Sequence, residues 1–329
     1  MKVSVITAFY DGNKYMPKYL KCMQANAKNL EAAGHELEVI IVNDSPWVQV
    51  ELDEKSPDKT SGNHGEQTTF TIINQDQNTG IHGARVAGLK AATGDYVMFL
   101  DQDDSLSSDA LVKHVNKILD YENENETLNF NHADQTTNCN NANNNHNLPI
   151  TVSNANLEQA DGSMLLWYRT IYHQKKVSDL DTYLKVGVQI ISPGQCLVPR
   201  KAIPDIWMEK ICSKNGSDDY YLWLVMLGQN QPFEVVDEPL YTHKFTGANL
   251  SADTTNTDVS TYEFIDFLRG ENILTEKQLD KLLRMSKYKA DFRRQGKVGK
   301  AILSLKNIDI FIPNLIYKIK TKTPPGFNR

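Results

Sequence analysis

Three carboxylates crowd the end of one apolar stretch, where Phe99-Leu100 runs into Asp101-Gln102-Asp103-Asp104. Carboxylates this close resist ionising together unless a cation joins them. Oxygen donors at this density suit Mg²⁺ or Mn²⁺, and Mg²⁺ commonly takes one or two carboxylates together with substrate phosphates. A solvated turn capping the next helix is the plainer alternative. A place at the carboxyl end of a strand, where open α/β sheets collect ligands, favours chemistry. A second apolar run, from Glu38 to Val42, likewise ends in Asn43-Asp44-Ser45, which an Asx turn would also explain. A third segment, Asn78-Thr79-Gly80 through Arg85 to Gly88, combines small residues, which allow close helix–sheet packing, with a guanidinium that could reach a phosphate.

Further along, Asp218-Asp219 precede an apolar Leu222-Trp223-Leu224 run and look like the start of a helix. Acids there are stabilised by unpaired N–H groups and the helix dipole, so capping alone accounts for at least Asp218. Ser192-Pro193-Gly194-Gln195 lies just upstream and could shape a pocket wall, and Trp207 and Trp223 are candidate stacking platforms, Trp223 also reading as a core anchor. His243, in Tyr241-Thr242-His243, reads by itself as a partly buried, hydrogen-bonded histidine.

The elements that must hold these residues alternate. Val3–Phe9, Leu37–Val42, Thr69–Asn74 and Tyr96–Leu100 read as strands; 14–33 and 81–92 read as helices between them. Such alternation implies a mostly parallel sheet covered by helices. Residues 107–120, 163–185 and 218–227 read as helical, and from about 256 onward the pattern is helical and increasingly basic. Residues 121–161 hold 13 Asn in 41 positions and read as a surface insertion. The expected organisation is one domain over 1–255, split into halves 1–106 and 107–255, followed by a helical extension over 256–329.

The chain has 329 residues, and its net charge of −6 argues against a generic nucleic-acid partner. The charge is uneven: residues 284–329 carry twelve Lys/Arg against two Asp/Glu, a net of +10, which leaves −16 on the rest. In that tail Val298, Ile302, Leu305, Ile308, Ile312, Leu315, Ile316 and Ile319 recur at helical spacing among lysines, and Pro313 is expected to break or restart the helix. A basic amphipathic tail can lie in an anionic membrane interface; the alternative is a helix docked on the domain. Cys22, Cys139, Cys196 and Cys212 have no CxxC spacing, so reduced thiols in a cytosolic protein are expected. The short apolar start is too brief for a leader, and no window is long enough to span a membrane.

Taken in order, Val3-Ser-Val-Ile-Thr-Ala8-Phe-Tyr10, Asn43-Asp44-Ser45, Asn78-x-Gly80-x-x-x-Ala84-Arg85, Ala92-Thr-Gly-Asp-Tyr-Val-Met-Phe-Leu100 and Asp101-x-Asp103-Asp104 resemble the nucleotide-binding half of family 2 glycosyltransferases, which have the GT-A fold. The resemblance is specific over residues 1–110 and patchier beyond. It implies an inverting transfer from a nucleotide-sugar donor, most commonly a UDP-sugar, with Mn²⁺ or Mg²⁺ as cofactor. Asp44 would contact the base, Asp101 would lie near the ribose, and Ala8, Tyr10, Asn78, Arg85 and Gln102 would line the donor site. Asp103 would ligate the metal with His243, supported by Asp104. Asp219 would be the general base, supported by Asp218, Gln195 and Trp223. The family's acceptors are often lipid-linked, which implies a glycan acceptor on a carrier such as undecaprenyl, at the inner face of a bacterial cell membrane, in surface polysaccharide synthesis. Asn43 departs from the family, which often has a second Asp there, and Asn249-Leu-Ser251 resembles its closing segment. The competing classes are a catalytically inactive sugar-binding module, against which intact acids at 101, 103 and 219 count, and a dinucleotide dehydrogenase, which needs a GxGxxG turn that residues 8–14 lack.

Overall fold

The structure is a computed structural model that describes residues 1–52, 69–132, 148–245 and 254–323, with side chains of 126–132 not described. Asn249 and Ser251 fall outside the described residues.

The first half alternates as the sequence pattern demands. Strand β1 (Lys2–Phe9) leads through a 3-10 turn at Asn13–Tyr15 into helix α1 (Met16–Ala32), then β2 (Glu36–Asn43), β3 (Thr69–Asn74), α2 (Gly80–Ala91) and β4 (Tyr96–Phe99). These strands lie in the order β3-β2-β1-β4, and every neighbouring pair is parallel. β1, β2 and β4 are buried on both faces, which is why their sequences are largely apolar, and the buried Ser4, Thr7 and Glu38 among them are hydrogen-bonded. α1 buries Met16, Tyr19, Leu20, Met23, Ala27 and Leu30 and stops at Gly34, whose φ of +78° suits a glycine.

The second half mixes directions. β5 (Ser105–Leu106) precedes α3 (Ala110–His132), β6 (Ile150–Glu158), β7 (Met164–Leu166), α4 (Ile171–Gln174), α5 (Leu180–Lys185), β8 (Cys196–Pro199), α6 (Asp205–Glu209), α7 (Asp218–Gly228) and β9 (Phe233–Lys244). The sheet continues β4-β8-β6-β9-β5, with β8 antiparallel to both neighbours and β6 parallel to β9. The chain ends in α8 (Thr254–Leu268), α9 (Glu276–Arg294), α10 (Lys297–Lys306) and α11 (Ile308–Thr321).

Three sequence expectations change here. Residues 121–161 are not one surface insertion: α3 continues to His132, and β6 occupies the interior of the sheet. Asparagine enrichment concealed the strand, because Asn154 is buried with its Oδ1 and Nδ2 bonded to the Tyr168 backbone. Residues 163–185, read as helical, contain β7 and two short helices instead. Pro313 lies inside α11, while the break falls at Asn307, between α10 and α11.

Candidate active site

The carboxyl ends of β1, β2 and β4 bring the sequence-predicted residues to one edge of the sheet. Arg85, on α2, joins that edge to the second half. Its Nη2 donates to Asp101 Oδ1 and its Nη1 to Asp218 Oδ2, each at 2.6 Å. The side chains of Arg85 and Asp218 are each 5% exposed, so the bridge is desolvated. Burial works to raise the Asp218 carboxyl, but Arg85, with His82, holds it below the usual carboxylate range. Two residue roles are corrected by this geometry. Arg85 spends its guanidinium on two carboxylates rather than turning it toward a phosphate, and Asp218 is the buried half of an ion pair rather than a plain helix cap.

The bridge fixes its neighbours. Asp219, at the first turn of α7, is half-buried and its Oδ1 accepts the Tyr220 N–H at 2.7 Å. On the other arm, Asp103 is partly exposed, and burial together with Asp104 and Asp101 pushes its carboxyl up to about 6. Asp104 is turned inward, where it accepts from Tyr241 Oη, from His243 Nδ1 at 3.3 Å and from the Lys244 N–H at 3.0 Å. It therefore ties the acidic turn to β9 instead of presenting itself to a ligand. With Nδ1 so engaged, His243 Nε2 is left buried with no hydrogen-bond partner, an arrangement that suits a ligand atom. Among the described residues no three His, Cys, Asp or Glu side chains converge into a metal cage. Asp103 and the orphan His243 nitrogen therefore fit a divalent ion whose remaining ligands come from substrate phosphates.

Asp44 is buried, and its carboxylate takes the Thr79 N–H at 2.6 Å, the Thr79 hydroxyl at 2.9 Å and the Gly80 N–H at 2.9 Å. It holds the start of α2, which has no cap of its own, while Asn215 Oδ1 accepts the Ile81 N–H at 3.0 Å from the second half. Asn78 closes the same corner by donating to the Asp44 carbonyl at 3.1 Å. A carboxylate offers about four acceptor positions, so these three bonds leave Asp44 room for one further donor.

Gln102 clamps the turn after β1, accepting the Tyr10 N–H at 3.1 Å and donating to the Tyr10 carbonyl at 3.0 Å. A Cβ on Gly12 would lie 2.0 Å from the Gln102 amide oxygen, so a larger residue there would push the clamp aside. Ala8 is half-buried on the same strand. Tyr10 is thereby displayed, 53% exposed, edge-on to Trp47, 63% exposed, with ring centroids 5.9 Å apart. Trp47 was missed by sequence reasoning, although a tryptophan three positions after a strand-end acid was signal enough. Asn215 was missed as well, and so was His82, whose ring bonds the Trp207 carbonyl and the Cys212 N–H across the two halves.

Three other expected residues belong to the scaffold. Gln195 is fully buried, accepting the Ile191 N–H at 2.7 Å and donating to the Ser153 carbonyl at 2.9 Å, so it shapes its loop from behind. Trp223 and Trp207 are both fully buried, packed near Phe233 and His82 respectively, and neither can stack on a sugar.

Solved structures share this architecture. The chain is similar to residues 1–349 of TarS from S. aureus at 15% identity, with a TM-score of 0.55 over 97% of this chain and 82% of that one. The complex of the same TarS fragment with UDP-GlcNAc matches at 16% identity and a TM-score of 0.54, covering 98% of this chain and 82% of that one. The shared fold is that of GT-A glycosyltransferases. Residues 4–206 match the glycosyl transferase family 2 model, and the chain belongs to that family. It is also 30% identical over 118 residues to an "Uncharacterized glycosyltransferase" of Haemophilus influenzae, a match that spans 36% of this chain and 42% of that relative.

Proposed function

We propose that this protein transfers a hexose from a UDP-sugar to a glycan hydroxyl, with inversion and with the help of Mn²⁺ or Mg²⁺. The observation that carries the reading is the Arg85 bridge, which bolts the acidic turn after β4 to the start of α7 and so sets Asp103 and Asp219 at one sheet edge. Family membership and the UDP-GlcNAc complex of the similar TarS fragment support the donor class.

In this reading the Tyr10–Trp47 pair offers aromatic surface to the uracil, and the remaining acceptor position of Asp44 takes a base N–H. Asp101, held by Arg85, lies toward the ribose. Asp103 and His243 Nε2 would hold the divalent ion, which when bound neutralises charge on the departing diphosphate. Asp219 accepts the acceptor's hydroxyl proton as that oxygen bonds to the anomeric carbon; the bond from that carbon to UDP breaks on the opposite face, and UDP leaves with the electron pair.

The tail supports a membrane-borne acceptor, such as a polyprenyl-linked glycan. Val298, Ile302, Leu305, Ile308, Ile312, Leu315, Ile316 and Ile319 are each at least 40% exposed, while Ser304, Ile310, Tyr317 and Thr321 are the residues that pack inward. Docking therefore consumes a different face from the one the periodicity marked. That face, studded with lysines, suits peripheral association with an anionic membrane. Among the described residues no helix is long and apolar enough to cross a membrane.

The deciding experiment screens UDP-sugars for Mn²⁺-dependent hydrolysis, then compares the Asp219→Asn variant. Donor binding should survive while transfer falls by about 10²–10⁴-fold, the usual contribution of a general base. A protein that binds UDP-sugars but turns over none of them is the sugar-binding module instead.

A further inference from the structure

Helix α2 starts without a side-chain cap of its own, so the acceptors for its first N–H groups come from elsewhere in the chain. Asp44 takes those of Thr79 and Gly80. The Ile81 N–H goes to Asn215 Oδ1 at 3.0 Å, on a residue 134 positions later. The approach is close. A Cβ on Gly80 would lie 2.8 Å from that oxygen, and the Gly80 φ of +77° falls in the left-handed region that favours glycine.

Asn215 belongs to the short segment that delivers Asp219. Gly216 follows it at a φ of +124°, packed so tightly on α8 that a Cβ would lie 2.7 Å from Thr257 Oγ1. Ser217 comes next, and its Oγ donates to the Thr257 carbonyl at 3.1 Å. With both intervening residues held, displacement of Asn215 passes on to the first turn of α7. The same segment is fastened to α2 at two further points. The His82 ring bonds the Trp207 carbonyl at 2.9 Å and the Cys212 N–H at 3.1 Å, and Arg85 pairs with Asp218. Ile81 and Arg85 are four residues apart, about one helical turn. The Arg85 contact is made by the tip of a long side chain and leaves a pivot. A backbone N–H has no such freedom, so the Asn215 contact removes it.

We infer that Asn215 is a positioning residue, which sets the Asp219 carboxylate in register with the α2 terminus on which Asp44 also rests. It acts through the Ile81 N–H rather than on substrate. The inference rests on the reading of Asp219 as general base and goes beyond it by naming what aims that base.

The test compares wild type, Asn215→Ala and Asn215→Asp by amide hydrogen exchange, UDP calorimetry and UDP-sugar hydrolysis. Tyr220 is the reporter, because its N–H is bonded to Asp219 Oδ1 at 2.7 Å. In ligand-free Asn215→Ala, exchange at both Ile81 and Tyr220 should be at least tenfold faster than in wild type; a residue that only caps α2 would speed Ile81 alone. For the UDP-sugar that wild type hydrolyses fastest with Mn²⁺, kcat should fall about tenfold, the scale expected for a base displaced by a fraction of an ångström. The Kd for UDP should stay within twofold. Asn215→Asp keeps the acceptor oxygen and should return exchange and kcat to within threefold of wild type. Unchanged exchange at Tyr220, a Kd weakened as much as kcat falls, or an Asn215→Asp no better than Asn215→Ala would each overturn the inference. A wild type that binds no UDP and hydrolyses no UDP-sugar would instead defeat the donor reading, and exchange at Tyr220 would still decide whether Asn215 fixes Asp219.

Discussion

Replacing Asp218 with Asn tests the bridge on which the site depends. The substitution leaves the shape nearly intact but removes one charge from a pair whose side chains are each 5% exposed. Breaking a buried ion pair from one side costs about 3–5 kcal/mol, because the surviving charge is stranded. Arg85 retains Asp101 at 2.6 Å, and the Asp101 side chain is 27% exposed, so the expected loss is at the lower end, about 3 kcal/mol. That is a large part of an ordinary folding free energy of about 5–15 kcal/mol. Urea unfolding followed by tryptophan fluorescence at pH 7.5 reads it directly. The pH dependence gives a second handle. A carboxyl held low in the fold stabilises above its unfolded value of 3.8 and loses that contribution as pH falls through the folded value. Wild type and Asp218→Asn should therefore draw together in stability as pH falls below 3.8 and meet only below the lowered folded value. A variant that unfolds within about 0.5 kcal/mol of wild type at pH 7.5, the scale of an ordinary surface change, would refute the reasoning.

Three further outcomes follow from the same geometry. Asp103→Asn should lose metal-dependent activity yet raise metal-free stability above pH 6 and change it little near pH 4, since the raised carboxyl is penalised only where it ionises; equal gains at both pH values would contradict the crowding. Trp47→Ala should weaken UDP binding by about 1–3 kcal/mol, the worth of one base–aromatic stack, with turnover at saturating donor nearly unchanged; calorimetry showing wild-type affinity would remove Trp47 from the donor site. Replacing Ile302, Leu305, Ile316 and Ile319 together with Ser should abolish sedimentation with anionic vesicles while sparing donor hydrolysis, and persistent sedimentation in high salt would show that this face is not the contact.

Much of the donor half was legible in the sequence. β1, β2 and β4 are buried on both faces and so are largely apolar, and they give way to polar residues at their ends, which is why Asp44 and Asp101–Asp104 stand out as strand-end acids. The eight apolar residues of the tail were legible as a stripe for the same reason of periodicity. What periodicity could not give was which groups consume one another. Whether Arg85 faces a phosphate or two carboxylates depends on Asp218 arriving 133 residues later, and whether Asp104 offers itself to a ligand depends on Tyr241 and His243 of β9. Local pattern also failed at β6, where the buried Asn154 bonds to backbone brought up from Tyr168, so the composition of a loop conceals an interior strand. Strand ends and apolar stripes are properties of neighbours in the chain; the pairing of charges, and hence the division between residues that hold the site and residues left to act in it, is made only when distant segments fold against each other.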